Sequence, residues 1–145
     1  MRFGWKNCLY TMVAFALCLL FGGGMYAMNC VLLEKTAGER VFYLDSPSSQ
    51  GLIKSKLRLY DVSRVRGESV SFTHQDEPQS LALQIFQDYG GEVAFVEKVG
   101  DVISYYGYAQ DLGNALCLDG YAVNLHVAVT EGRCVVGTPI IFGGF

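Results

Sequence analysis

A chain of 145 residues, 51% hydrophobic, 13% aromatic and 17% charged, has room for one folded domain and a short accessory segment, and this composition excludes a disordered chain. Its net charge of −3 is unevenly spread: the part after residue 33 holds all 14 acidic residues and nine of the 11 basic ones, a net of −5. That balance argues against nucleic acid as a partner, because duplex binding rests on clustered cations meeting phosphates.

Residues 8–33 (CLYTMVAFALCLLFGGGMYAMNCVLL) carry no charge and follow Arg2 and Lys6. The run exceeds the ~20 residues a helix needs to cross a bilayer, and a basic flank keeps the N-terminus in the cytoplasm. The expected organisation is a signal peptide or transmembrane anchor over 1–33 and an extracytoplasmic domain over 34–145. That domain is then held outside the cell membrane, or secreted if the segment is cleaved. Residues 12–21 have the length of a signal-peptide core, and Gly22, Gly23 and Gly24 suit a signal peptidase. The uncharged run to Leu33 favours an anchor. Cys30 follows Asn29, not the small residue that precedes a lipidated cysteine.

The first β-like run is 41–44 (VFYL), followed by a turn-rich linker over 45–51. Period-two alternation over 54–66 predicts a strand with Lys54, Lys56, Arg58, Arg64 and Arg66 on one side. A helix starting at Ser46 and Pro47 is the alternative. The stretch 67–73 (GESVSFT) reads as a strand with Val70 and Phe72 inward and Ser69, Ser71 and Thr73 outward. A helix follows, with Asp76 as N-cap, Pro78 in the first turn, Gly90 and Gly91 at its end, and Leu81, Ala82, Ile85, Phe86 and Tyr89 on one apolar stripe.

From 92 onward the period is two. Strands are expected over 92–98, 102–109, 115–118, 121–130 and 133–142, separated by turns at 99–101, at 110–114, at Asp119 and Gly120, and at Glu131 and Gly132; Asp-Gly between apolar runs is a strong hairpin signal. Strand, helix, then four or more strands predicts an α+β fold with one antiparallel sheet and a packed helix. Pro139 cannot donate to a ladder, which predicts an edge or a bulge for the last strand. In this register Cys117 sits opposite Ala122 and Cys134 opposite about Val129, too far apart along one strand for a disulfide. Both are expected to be small buried residues.

Asn124 and His126, two apart on a strand, share a face with each other, as do Tyr106 and Tyr108; the four form a candidate ligand-contact face. No nucleophile is placed to make either histidine catalytic. Asp76 and Glu77 are explained by the helix start, which leaves His74 without a designated partner. No motif calls for a metal or other cofactor, and no catalytic residue is assigned. The basic residues Lys54, Lys56, Arg58, Arg64 and Arg66 are candidates for contact with an anionic surface, or for protection of a sheet edge.

Tyr105, Tyr106 and Tyr108, the run VNLHVA over 123–128 and the run GTPII over 137–141 resemble the YwmB-like exported proteins of Gram-positive bacteria, a family with a TATA-box-binding-protein-like fold. The resemblance covers about residues 67–145 and implies a strand–helix–strands arrangement, with no catalytic residues to carry over. The function expected is that of a membrane-anchored or secreted envelope domain. It would bind a protein or an anionic envelope polymer, in an envelope or sporulation assembly, without nucleic acid and with the membrane engaged through 8–33. The enzymatic alternative is a small wall-active hydrolase using His126 or His74.

Overall fold

Helix α1 (Trp5–Met28) belongs to a first unit, Met1–Val31, and the remaining elements to a second, Leu32–Phe145. The computed structural model describes residues 5–28, 31–45 and 52–143. In α1 the described side chains, over 9–22, are all exposed, and apolar residues lie on every side: Leu9, Val13 and Leu20 on one, Ala14 and Cys18 opposite. They cover ~21 Å, against ~30 Å of bilayer hydrocarbon. Among the described residues no helix is long and apolar enough to cross a membrane. The expected span of 8–33 reaches residues on both sides that lie outside this described stretch.

In the second unit, period-two alternation yields β1 (Glu39–Leu44), β2 (Leu52–Lys54), β3 (Val65–Thr73), β4 (Gly91–Val99), β5 (Val102–Ala109), β6 (Leu116–Leu118), β7 (Tyr121–Val123), β8 (Leu125–Thr130) and β9 (Arg133–Thr138). Seven of them form one antiparallel sheet in the order β2-β1-β3-β9-β8-β5-β4, and β6 and β7 make a separate ribbon. Helix α2 (Pro78–Asp88) connects β3 to β4. Its stripe of Leu81, Ala82, Ile85 and Phe86, continued by Tyr89, is buried against Val70, Tyr105, Leu125, Val127, Val129 and Val136. Each of the larger aliphatic and Phe side chains contributes about 1.5–3 kcal/mol on burial. The architecture is therefore α+β, a large antiparallel sheet with a packed helix. The turn between β6 and β7 has Asp119 and Gly120 at φ 49° and 85°, the left-handed pair an Asp-Gly hairpin requires.

Four expectations need correction. The helix is capped by Glu77, whose carboxylate accepts from the Ser80 N–H at 2.8 Å, and not by Asp76. Pro78 takes the first helical position and holds the residue before it extended, so the cap falls at 77. The basic segment 54–66 is not one strand: β2 ends at Lys54 and a 3-10 helix, Leu59–Arg64, leads into β3. Buried Asp61 folds this segment back, accepting from Lys54 Nζ at 2.6 Å and the Arg58 N–H at 3.0 Å. The alternative helix start at Ser46 and Pro47 lies outside the described residues. Ser69 is buried, its hydroxyl 3.1 Å from that of Tyr43, because the second sheet face is also covered there. Phe142 lies 5.3 Å from the Tyr43 ring and would collide with any side chain at Gly67. Finally, β9 is interior, between β3 and β8, and ends at Thr138. Pro139 follows the strand, so its missing N–H removes no ladder bond.

Sequence periodicity gave no warning of Glu68, a carboxylate buried in mid-strand. It accepts from the Leu32 N–H at 2.8 Å and the Leu33 N–H at 3.4 Å, and lies 2.7 Å from Arg40 Nε. Burial pushes its pKa up; the Leu32 N–H and the Arg40 charge oppose that. Replacing Glu68 by Ala leaves Arg40 Nε and two backbone donors without their acceptor, and is expected to destabilise the domain by about 3 kcal/mol in urea unfolding, with Glu68→Gln costing less.

Candidate functional site

β5 pairs with β8 so that Tyr106 stands opposite His126, on the sheet face away from α2. On the other side β4 brings Phe95, and a bulge is what puts it there. Between Val93 and Phe95 the register shifts by one, moving Phe95 from opposite Tyr105, which faces the helix, to opposite Tyr106. The three rings stack across the strands: Phe95 on Tyr106 at 4.7 Å and 14°, Tyr106 on His126 at 4.1 Å and 20°. Tyr121 of β7 leans on Phe95 at 5.6 Å. Above this floor Leu118 and Asp119, at the ribbon tip, and Ile140 and Ile141, after β9, wall a cleft of about 290 Å³. Glu97 also lines it.

The expected four-residue face is therefore only half assembled. Tyr106 and His126 meet; Tyr108 is 44% exposed and Asn124 fully buried. The segment 121–130 breaks at Asn124, with β7 before it in the ribbon and β8 after it in the sheet. Asn124 Oδ1 accepts from the Ala109 N–H at 2.7 Å. Its Nδ2 donates to the carbonyls of Ala109, Leu112 and Gly113 at 2.9, 2.8 and 3.1 Å, and its own N–H donates to Gly107 O at 3.0 Å. An amide is the one neutral side chain that both accepts and donates in this way. These bonds hold the chain break. Asn124→Ala orphans the buried Ala109 N–H and is expected to cost about 3 kcal/mol in denaturant unfolding, whereas Asn124→Asp keeps the acceptor and loses the donors.

His126 is 8% exposed. Its Nδ1 accepts the Ile141 N–H at 3.3 Å, so the proton of the neutral ring sits on Nε2, which is buried and has no partner among the described residues. Burial lowers its pKa to about 4, from 6.5. Burial also raises the Tyr106 phenol, with the Glu97 charge adding to it.

His74 serves otherwise. Its ring nitrogens face the carbonyls of Asp76 at 3.1 Å and Thr130 at 3.0 Å, tying the start of α2 to the end of β8. No group of His, Cys, Asp and Glu among the described residues could hold a metal ion. The basic residues do not share a strand face. Lys54 pairs with Asp61 at 2.6 Å, which holds that carboxyl's pKa low, and Arg66 with Asp45 at 2.6 Å, with the same effect. Arg64 is hydrogen-bonded to the Asp45 carbonyl, and Arg58 donates to the Tyr60 hydroxyl at 3.0 Å. Lys54, Lys56 and Arg58 line a separate open depression with Ile53 and Leu57. Cys117 pairs with Ala122 and Cys134 with Val129, and both thiols are free. Cys134 is buried, its thiol pushed up to about 12. Cys117 is exposed, against expectation, because the β6–β7 ribbon stands apart from the sheet.

Comparison of the chain with protein-family models, curated proteins and solved structures found no match.

The His126 ring gives a pH signature. Its folded pKa lies below the unfolded value, so its contribution to stability is complete above pH 6.5. It is lost as the pH falls from 6.5 towards about 4, reaching roughly 3 kcal/mol at the acid end. Urea unfolding at pH 7 and pH 4 is expected to show the parent losing about that much more stability than His126→Asn, which retains an acceptor for Ile141.

Proposed function

We propose that this chain is a membrane-tethered envelope domain, with residues from 34 onward outside, that acts by binding through the cleft over Phe95, Tyr106 and His126. The observation that carries the binding assignment is the buried His126 Nε2, a hydrogen-bond donor without an acceptor among the described residues, in the floor of an apolar-sided cleft. Support for the tether comes from the uncharged run 8–33 behind Arg2 and Lys6, and from the absence of any polar face on the described part of α1. Kinship with the YwmB-like exported proteins, and a TATA-binding-like fold, belong to the same proposal. They are supported by the succession β3, α2, β4, β5, β8, β9, one strand, one helix and four strands in a single sheet.

A hydrolase using His126 or His74 finds less support. His126 Nδ1 is engaged by a backbone N–H, and both nitrogens of His74 face carbonyls, so neither ring is paired with a nucleophile or an orienting carboxylate. Lys56 and Arg58 remain the candidates for contact with an anionic polymer. They lie on a different surface from the cleft.

Alkaline phosphatase fused after Phe145 is expected to be active in intact cells; an inactive fusion would remove the outside location. In the same cells, an envelope component that cross-links to the parent is expected to be lost with Tyr106→Ala and kept with Lys56→Glu plus Arg58→Glu. The reverse pattern would move the binding surface to the basic loop.

A further inference from the structure

We propose that the cleft between the β6–β7 ribbon tip and residues 140–141 recognises an amino-acyl group in ester or amide linkage, a primary ammonium beside a carbonyl. This rests on the cleft being a binding site. Three features of the cleft carry it. The first is a donor: His126 is more than nine-tenths buried, its Nδ1 is committed to the Ile141 N–H, and the Nε2–H has no acceptor among the described residues. A carbonyl on the ligand would relieve that cost. The second is charge. Glu97 of β4 and Asp119 of the ribbon turn line the cleft, and among the described residues no lysine or arginine does. With the imidazole neutral, the lining is twofold negative: Glu97 and Asp119 are exposed at the rim, with Leu118, Ile140 and Ile141 as apolar sides. The third is size, since about 290 Å³ falls at the lower end of small-molecule sites and suits an amino-acid-sized group.

The same charges discriminate among ligands. A free amino acid brings its own carboxylate towards Glu97 and Asp119, whereas an ester or amide presents a neutral carbonyl to Nε2–H. An anionic polymer segment is repelled unless it displays an ammonium here.

Nε2 is shielded from water, so the ligand enters only when a wall yields. The tip of the ribbon is one such wall. Its strands are three residues each, and Leu116, Cys117, Tyr121 and Ala122 are exposed, while its base is held at buried Val123 and Asn124.

The test is an NMR titration of the full chain in detergent micelles with alanine methyl ester, following the His126 ring and the amides of Glu97 and Asp119. Saturable shifts at these groups are expected, with N-acetylalanine methyl ester and free alanine each binding at least tenfold more weakly. Glu97→Gln plus Asp119→Asn is expected to abolish the preference for the ammonium while leaving the urea midpoint unchanged. Equal binding of the acetylated ester, or an unaltered preference in the double variant, would overturn the ammonium assignment and leave the cleft as a binding site. Failure of every probe to move the cleft signals would overturn both.

Discussion

The hydrogen bonds of one buried amide hold the two halves of this domain in their relation. Asn124 interrupts what would otherwise be a ten-residue strand, and by accepting from Ala109 and donating to Ala109, Leu112 and Gly113 it closes the 110–114 loop beneath the break. Before it the chain forms a ribbon with β6; after it the chain enters the centre of the seven-stranded sheet. Without the break, β7 would prolong β8 along the sheet, and the ribbon tip would have no reason to stand over Tyr106. With it, Tyr121 reaches Phe95 and Asp119 reaches the edge of the cleft. The cost of burying a polar side chain is offset because each of its groups finds a backbone partner.

The sheet uses its two faces differently. One is closed by α2 through an aliphatic and aromatic interface. The other is covered piecemeal, by Phe142 over Gly67 and Tyr43, by Ile141 over Gly137, and by the ribbon over Phe95. Gly67 and Gly137 admit this close approach, since a Cβ at either would meet the returning chain at about 2.5–2.7 Å. The cleft is the gap between these covers. Its floor is a stack of three rings that depends on a single bulge in β4.

Electrostatics divides the domain in the same way. The cations expected to form one stripe are largely satisfied locally, Lys54 by Asp61 and both Arg64 and Arg66 by Asp45. Glu68 performs the opposite task inside the sheet, where its carboxylate receives the backbone of Leu32 and Leu33 and the side chain of Arg40. It thereby fixes the strap that leads into β1. The cleft is left as a small, negatively lined surface whose histidine is neutral.

What the sequence determined by itself was whatever short-range physics dictates. Alternation placed nearly every strand, the i, i+3, i+4 stripe placed α2 and its buried face, and the Asp-Gly and Glu-Gly turns set the registers that put Cys117 opposite Ala122 and Cys134 opposite Val129. It also brought Tyr106 and His126 into one candidate face. Tertiary structure decided the rest, because those decisions depend on groups distant in the chain. Asn124 turned away from Tyr106 and His126 because the carbonyls it serves belong to Ala109, Leu112 and Gly113. Phe95 joined the stack because a bulge shifts its side chain to the other face, which alternation cannot foresee. Glu68 and Asp61 were buried because partners arrive from other segments, and β9 became interior because β1 and β3 added to the far side of the sheet. Periodicity reports which residues avoid water locally, whereas the identity of what covers them is a property of the assembled fold.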